Sequence, residues 1–292
     1  MLTLLLAAAL QAAAAPQSAN SIHGGPRQMT CPVGGERFEA LETTMFSTYG
    51  SRPDGRRRTY WVMPLPIPTC PSNGLVVFED FTPAQIATLT RLIASPDYRR
   101  LVAQDTTYYR AQWLATRLGT PERDALWVLL SATWQVKPAD GPVGQAMPSA
   151  AKATQYQEEF VARVRALPPA PTELAYVALY ARAANAEREL GHFESAAAML
   201  AQLQPWVAAG EPAEWRPFVT SLGAVVARRD AAVEPLDMAS EVGAAFQCLD
   251  PALPPTEFNR AFCARPELQS RIAEIRRMRE ERERNAAQAP AH

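Results

Sequence analysis

The stretch TCPVGGERFEA, residues 30–40, returns further along the chain as TCPSNGLVVFE, residues 69–79. Each copy has a cysteine, a proline directly after it and a glycine that suits a tight turn. Paired turns of this kind hold zinc through four Cys or His ligands. Here Gly34 and Asn73 stand three residues after Cys31 and Cys70, where a second cysteine would be needed. The two turns therefore supply half of a zinc site, and we predict no bound metal or other cofactor.

The spacing of zinc ligands suggests what the two cysteines do instead. Two thiolates on one tetrahedral zinc lie about 3.7 Å apart, so a small backbone shift brings them to a disulfide bond of about 2.05 Å. We therefore predict a disulfide between Cys31 and Cys70. The alternative is a structural zinc site that takes His23, the only histidine near these turns, as a further ligand.

The other two cysteines, Cys248 and Cys263, are separated by a spacer that contains three prolines. A turn-rich spacer brings its ends back together, and we predict a second disulfide here. Two separate buried thiols, packed as small apolar side chains, are the alternative. The chain has no C-x-x-C pair, so redox catalysis is not expected.

The N-terminal segment MLTLLLAAALQAAAAPQSA has an apolar run followed by small residues. We predict a secretory signal over residues 1–15, with Ala12 and Ala14 at the positions that a signal peptidase requires. The alternative is an N-terminal membrane anchor, although a bilayer-spanning helix needs about 20 apolar residues. No later segment is long and apolar enough to span. Export to the periplasm or the medium would also favour disulfides.

The pattern of residues divides the rest of the chain into four parts. We predict a mobile lead-in over residues 16–27, a small β module over 28–80, a helical region over 81–285 and a frayed tail over 286–292. Strands are expected within 37–49, 59–63 and 75–78, and helix caps are expected at four hydroxyl residues: Thr82, Ser95, Thr120 and Thr172. The predicted fold class is α+β and mostly α, with a degenerate zinc-ribbon-like module before antiparallel helical hairpins.

Residues 173–206 resemble one tetratricopeptide repeat. Tyr180 stands at the large aromatic position of the first helix, Gly191 and Phe193 lie at the turn, and Ala196 takes the small position of the second helix. Ala184, Glu187 and Leu203 depart from the pattern. Ordinary antiparallel hairpins without repeat ancestry are the alternative.

Residues 28–89, and more loosely the helices beyond them, resemble a bacterial family of uncharacterised proteins. Its members carry two CPxCG knuckles, an F-E pair after the first knuckle, and then a tetratricopeptide-like helical array. The matching positions are Cys31, Pro32, Gly35, Phe38, Glu39, Cys70, Pro71 and Gly74. The second ligand of each knuckle is missing here, so the resemblance implies the architecture without the metal, and it implies no activity.

The net charge of the chain argues against nucleic acid as a partner. The chain carries 29 Lys and Arg against 30 Asp and Glu, for a net charge of −1, which gives no long-range field for nucleic acid. Arg56, Arg57 and Arg58 lie beside Tyr60 and Trp61 and could contact an anion. We expect instead that the turn Pro53-Asp54-Gly55 and its arginines form a solvated hairpin tip.

The sequence lacks G-x-S-x-G, H-E-x-x-H and phosphate-binding glycine motifs. We therefore expect an exported, non-catalytic binding or scaffolding protein whose helical array contacts an unknown protein or peptide. The residues proposed for that surface are Tyr108, Tyr109, Trp113, Arg56, Arg57 and Arg58. One alternative is a hydrolase-like envelope enzyme with an unrecognised carboxylate site, for example at Glu158 and Glu159 or at Glu211 and Glu214. The other is a purely structural protein.

Overall fold

The computed structural model describes residues 24–43, 45–138 and 149–288, and over this part the fold is α+β and mostly α. A two-stranded sheet precedes eleven α-helices. Their bounds are β1 Gly25–Thr30, β2 Arg37–Glu42, α1 Pro83–Ala94, α2 Pro96–Gln104, α3 Thr107–Arg117, α4 Glu122–Val136, α5 Ala150–Ala166, α6 Leu174–Glu189, α7 Phe193–Trp206, α8 Arg216–Ala227, α9 Glu241–Cys248, α10 Glu257–Cys263 and α11 Pro266–Gln288.

The two cysteine turns have the same backbone geometry. The N–H of Cys31 donates to the carbonyl of Glu36 at 2.8 Å, and the N–H of Cys70 donates to the carbonyl of Leu75 at 2.8 Å. The glycine four residues after each cysteine, Gly35 or Gly74, returns an N–H to the cysteine carbonyl and has a positive φ, which glycine adopts at low cost. The sequence repeat therefore marks a real structural repeat.

Both predicted disulfides are present. Cys31–Cys70 joins the two turns, and Cys248–Cys263 joins α9 to α10. Asn73, which stands where a knuckle would place its second ligand, donates from Nδ2 to the carbonyl of Val33 at 2.9 Å. The disulfide, this hydrogen bond and one from the N–H of Ser72 to the Glu36 carboxylate at 3.0 Å hold the two turns face to face, and each turn keeps its shape without a metal ligand at the third position.

The β module is fixed to the helices through its second turn. The carbonyl of Gly74 accepts from the Tyr98 hydroxyl and from the Arg110 guanidinium, both at 2.9 Å. A β-carbon at Gly74 would lie 2.8 Å from Val102, so only glycine allows α2 to approach this closely. The disulfide, Leu75 and Val76 are buried in one apolar cluster with residues of α1, α2 and α3.

The helices from α3 to α8 pack as successive antiparallel hairpins around a second apolar cluster. Within this set α4 contacts α6, and α6 contacts α8, which places these three helices side by side in one layer. The stretch that resembles a tetratricopeptide repeat forms the α6–α7 hairpin, where Tyr180 packs its ring 5.0 Å from Trp206 and Ala196 is fully buried. A third cluster joins α9 to α11 through Leu268, Ile272 and Ile275.

The helix-start signals are right where a capping side chain is present. Thr82 forms a complete capping box with Gln85, and Ser95 accepts from the N–H of Tyr98. The caps predicted at Thr120 and Thr172 are wrong, because α4 and α6 each begin two residues after the predicted cap, without a side-chain hydrogen bond at the start. Acidic residues in its first turn favour the start of α4 instead.

Two strand predictions in the β module are also wrong. Residues 59–63 form bends rather than a strand, and Val76 makes only an isolated bridge with Thr69. Prolines at 64, 66, 68 and 71 lack the N–H that a ladder needs. In their place β1, which begins inside the predicted lead-in, pairs with β2 in antiparallel register from Gly25↔Glu42 to Thr30↔Arg37. The predicted signal lies outside the described residues.

The turn at residues 51–58 is buried, so the prediction of a solvated hairpin tip is wrong. Asp54 and Arg52 are each 2% exposed, and only Arg57 among the turn's arginines faces solvent. Side chains from α4 and α6 bind the turn through its backbone. Trp134 Nε1 donates to the carbonyl of Asp54 at 3.2 Å, and Arg182 Nη1 donates to the carbonyl of Pro53 at 2.5 Å.

The Asp54 carboxylate anchors this turn. It accepts from Lys137 Nζ at 3.0 Å, from Arg52 Nη2 at 3.3 Å and from the N–H of Arg56 at 3.1 Å. Burial alone would raise the pKa of this carboxyl. The charges of Lys137 and Arg52 outweigh it and hold the pKa of Asp54 well below its ordinary value. Lys137 also pairs with Glu189 at 2.7 Å, so the turn is tied to the end of α6.

The two disulfides give a direct chemical prediction. Denatured without reductant, the protein should take up no alkylating reagent, and after reduction it should take up four equivalents, one for each cysteine of the chain. Intact mass measures both states in one preparation. Adducts on Cys31 and Cys70 before reduction would contradict the staple that replaces the knuckle.

Removing the Asp54 charge should destabilise the whole fold. Asp54→Asn removes the buried carboxylate that Lys137 and Arg52 share and leaves Glu189 as the anion beside Lys137, and we expect a loss of about 3–5 kcal/mol in the free energy of unfolding by urea. The matched control is Asp97→Asn, which breaks an exposed pair with Arg100 and should cost less than about 1 kcal/mol.

The ion pair between Asp54 and Lys137 also predicts how the free energy of unfolding depends on pH. Because the folded-state pKa of Asp54 is lowered, its stabilisation is present above the unfolded pKa near 4 and is lost as the pH falls further. The difference in unfolding free energy between the native chain and Asp54→Asn should therefore shrink below about pH 4. A difference that stays constant down to pH 2 would contradict this assignment.

Candidate binding cavity

The residues predicted to form a binding surface lie in separate places. Tyr108 and Tyr109 on α3 are half-buried and partnered. The Tyr108 hydroxyl donates to the carbonyl of Leu65 at 2.8 Å, and the Tyr109 hydroxyl donates to Glu159 at 2.7 Å. Tyr109 also stacks on Tyr156, with 4.3 Å between the ring centroids. Burial raises the pKa of Tyr108 to about 12. The pKa of Tyr109 is also raised, chiefly by burial and then by the hydrogen bond to Glu159.

Trp113 and the three arginines do not join these tyrosines. The Arg117 guanidinium lies over the Trp113 ring, 3.5 Å from the centroid of that ring. Arg56 is buried and donates to the carbonyl of Pro138 at 3.0 Å, and Arg58 is buried in an ion pair with Glu234. Only Arg57 is exposed. The predicted set is therefore not one continuous surface.

A cavity of about 560 Å³ brings together two distant parts of the chain. One wall comes from the base of the buried turn and the other from α9 and the loop before it. Its lining residues are Tyr49, Arg58, Glu234, Ser240, Val242, Gly243, Phe246, Gln247 and Asp250. This volume lies within the range of small-ligand and peptide side-chain pockets. We refer to it as the Tyr49 cavity.

Three of the large apolar residues that the fold leaves exposed line this cavity. Tyr49 is 56% exposed, Val242 45% and Phe246 44%. Val242 and Phe246 are four residues apart on α9, so they stand on one face of that helix. Exposed apolar residues gathered at a concave site are characteristic of binding surfaces, whereas isolated ones are ordinary.

The floor of the Tyr49 cavity is an ion pair between Arg58 and Glu234, whose side chains are 10% and 13% exposed. Arg58 lies against the first turn of α9. A β-carbon at Gly243 would stand only 3.1 Å from Nη1 of Arg58. The turn itself is capped by Ser240, which accepts from the N–H of Gly243 at 3.1 Å. Glycine at this position is what lets the guanidinium reach the helix.

Gln247 carries a hydrogen-bond donor that the fold does not use. Its Nε2 is shielded from solvent and has no hydrogen-bond partner among the described residues. An unpaired buried donor costs about 1–3 kcal/mol, so such a group in a cavity wall favours a ligand that supplies an acceptor.

A second cavity of about 370 Å³ adjoins the first and shares Glu234 and Gln247 with it. Its apolar wall is formed by Leu236, Leu253, Pro254 and Phe258. Arg228 lies over the Phe258 ring at 4.0 Å from the centroid and pairs with Asp237 at 2.6 Å. Glu234 and Gln247 therefore stand between the two cavities. We refer to the second as the Phe258 cavity.

The second disulfide positions this site. Cys248 follows Gln247 directly, and its bond to Cys263 ties α9 to the helix that carries Phe258. On the opposite side, α11 buries Leu268, Ile272 and Ile275 against α9. The Cys248–Cys263 disulfide and α11 therefore fix the wall formed by α9 against its neighbouring helices.

The candidate metal ligands and candidate catalytic carboxylates of the described residues are not gathered at either cavity. No group of three or more His, Cys, Asp or Glu among them could hold a metal ion. Within the same residues no helix is long and apolar enough to cross a membrane. Glu158, Glu211 and Glu214 are exposed, and Glu159 is bonded to Tyr109 and Arg163. These carboxylates do not line either cavity.

Comparison with protein-family models, with curated proteins and with solved structures gives no match. The resemblance to the knuckle-containing bacterial family therefore stays a prediction, and the assignment of this site rests on its geometry.

Sequence reasoning missed every residue of the Tyr49 cavity except Arg58. One signal was available, since the α9 sequence EVGAAFQC is apolar around its circumference. A short helix of this kind buries one face, here Ala244 and Ala245, and leaves apolar side chains on the other. The partner wall at Tyr49 could not be inferred, because it comes from the other end of the chain.

Opening the second disulfide should loosen the site without unfolding the body. For Cys248→Ser with Cys263→Ser we expect a loss of about 3 kcal/mol, confined to the α9–α11 unit. Amide hydrogen exchange should accelerate in α9 and α10 and stay unchanged in α6. The matched control, Cys31→Ser with Cys70→Ser, should instead accelerate exchange in the β module. Faster exchange in α6 upon the first change would contradict this local role.

Proposed function

We propose that the protein is an exported, non-catalytic binding or scaffolding protein that contacts a protein or peptide. The observation that carries the proposal is the Tyr49 cavity, which combines an exposed apolar rim, an ion-paired floor and an unused buried amide donor. Sites that recognise peptides have this composition, with apolar anchors that supply affinity and a few polar groups that fix orientation.

The helical array supports the site. A turn of the same chain fills the face formed by α4 and α6, and Asp54 holds it there. The array thus acts as the rigid body that fixes Tyr49 and Arg58 opposite α9. A site held by buried polar contacts and a disulfide is preorganised, which lowers the entropy lost on binding.

Two disulfides are the support for export, because such bonds persist in oxidising compartments such as the periplasm. The predicted signal over residues 1–15 belongs to the same proposal. The N-terminal mass of the exported chain is its direct test.

Photocrosslinking in the exporting host tests the binding function. A photoreactive phenylalanine analogue at position 246 should give a discrete adduct with one protein, and Tyr49→Ala should reduce its yield at least about tenfold. The matched control carries the analogue at Val102, which is exposed and apolar but lies on α2. No adduct at 246, or the same adducts at both positions, would contradict the proposal.

A further inference from the structure

We propose that the outer edge of β2, the side that faces away from β1, binds a basic, extended segment of a partner protein by strand addition. The residues around this edge line neither the Tyr49 cavity nor the Phe258 cavity. The inference therefore goes beyond the function proposed above and does not depend on that site.

Every second residue of β2 bonds to β1. Pro26 has no N–H, so its partner Leu41 takes a position of the antiparallel ladder without hydrogen bonds. Just beyond the strands, the N–H of Cys31 donates to the carbonyl of Glu36. Both observations assign the hydrogen bonds with β1 to the even-numbered residues of β2, which are Phe38, Ala40 and Glu42.

The odd-numbered residues direct their N–H and C=O groups away from β1. No hydrogen bond joins these backbone groups of Glu39 and Leu41 to another part of the chain that the structure describes. Both residues are exposed, Leu41 to 46%. Two donors and two acceptors therefore stand free along one edge, in the alternation that an added strand would meet.

A proline-rich segment lies beside this edge without pairing to it. The two enclose a cavity of about 260 Å³, lined by residues 38–41 of β2 and by residues 62–64 and 66–69, with Thr107 and Gln135. No residue of β1 lines it, so the cavity lies on the outer side of β2. Prolines at 64, 66 and 68 lack the N–H that a ladder with β2 would need, and the edge stays open.

The charges around the edge are mainly negative. A cavity of about 310 Å³ adjoins the first and shares Ala40, Leu41 and Pro68 with it. The charged residues that line the two cavities are one arginine and four carboxylates: Arg27, Glu39, Glu42, Glu79 and Asp80. The arginine pairs with Glu42 at 3.0 Å, which leaves three carboxylates without a cation among the described residues.

These two features together select the occupant. The free backbone groups require a partner that presents a row of N–H and C=O groups, which is an extended polypeptide. The unbalanced carboxylates favour lysine or arginine side chains on that segment and disfavour acidic ones. Strand addition needs little from the partner's other side chains, because the main-chain hydrogen bonds supply the affinity.

The test uses a capped, fluorescein-labelled heptapeptide, Ser-Lys-Val-Lys-Val-Lys-Ser, titrated into the full chain at physiological salt. We expect saturable binding, and we expect the acidic analogue Ser-Glu-Val-Glu-Val-Glu-Ser to bind at least about tenfold more weakly. Equal binding of the two peptides would overturn the assignment of a basic partner.

Backbone methylation separates strand addition from simple charge attraction. Only alternate N–H groups of an added strand face β2. N-methylation of the two valines and N-methylation of the first two lysines should therefore differ, one change weakening binding at least about tenfold and the other less than about threefold. Equal effects of the two changes would overturn strand addition.

Substitutions locate the peptide on the protein. Leu41→Pro removes an outward N–H and leaves the hydrogen bonds to β1 in place, and it should weaken binding at least about tenfold. Glu79→Lys with Asp80→Lys, both at exposed positions, should have an effect of similar size. The matched control is Asp97→Lys with Glu158→Lys, which makes the same charge change on α2 and α5 and should matter less than about threefold.

Amide hydrogen exchange examines the edge of the native chain without any substitution. In the free protein the amides of Glu39 and Leu41 should exchange faster than those of Phe38 and Ala40, which bond to β1. Saturating lysine peptide should slow exchange at Glu39 and Leu41 at least about tenfold. Unchanged exchange there would place the peptide elsewhere and overturn the inference.

Two further outcomes would also overturn it. One is absence of binding at millimolar lysine peptide. The other is a concentration-dependent dimer that Leu41→Pro abolishes, which would assign the edge to a second copy of the chain. Neither outcome bears on the Tyr49 cavity, because the crosslinking experiment at position 246 tests that site separately.

Discussion

A buried ion pair between Asp54 and Lys137, at the centre of a small polar network, connects parts of the chain that share no apolar cluster. Asp54 lies in the N-terminal turn, and Lys137 follows α4 and reaches Glu189 at the end of α6. From there the adjacent Arg188, fully buried, donates to the carbonyls of Asp230 and Ala232 in the segment that leads to α9. Buried polar contacts of this kind are directional, so they select one arrangement of the pieces where apolar packing alone would permit several.

The cysteine turns have a fixed shape that does not depend on a metal. Each turn is closed by its own backbone hydrogen bonds and by a glycine with positive φ, so neither depends on a ligand at the third position. The covalent bond between Cys31 and Cys70 joins the two turns, as a zinc ion bound between them would. The side chain of Asn73 adds a hydrogen bond from the second turn to Val33 in the first. Such a bond suits an oxidising compartment, since it cannot be lost to a chelator.

The parts of the fold that the sequence predicted are those in which the signal is local. The caps at Thr82 and Ser95 and both cysteine pairs are set by neighbouring residues and by spacing. The buried turn could not be predicted, because Pro-Asp-Gly has the same local preference in water and against helices. Its burial depends on Lys137 and Arg182, which lie far along the chain.

The candidate site fails to show in the sequence for the same reason. Its walls come from Tyr49 and from α9, and the residues between them carry no periodicity that relates the two. The aromatic residues that did stand out, Tyr108 and Trp113, are half-buried and partnered within the helical body. Large aromatic residues in a helical pattern usually indicate core packing. A site formed by segments far apart in the chain can be recognised only in the folded structure.

The pairing of Arg58 with Glu234 has a consequence for the order of folding. The two residues lie far apart in the chain, so the turn cannot be enclosed until the segment before α9 has been synthesised. The cysteine module and the α6–α7 hairpin depend on nearer contacts and can form earlier. Until then the N-terminal turn would have its charges in water, and its solubility in that interval follows from the same arginines that the finished fold encloses.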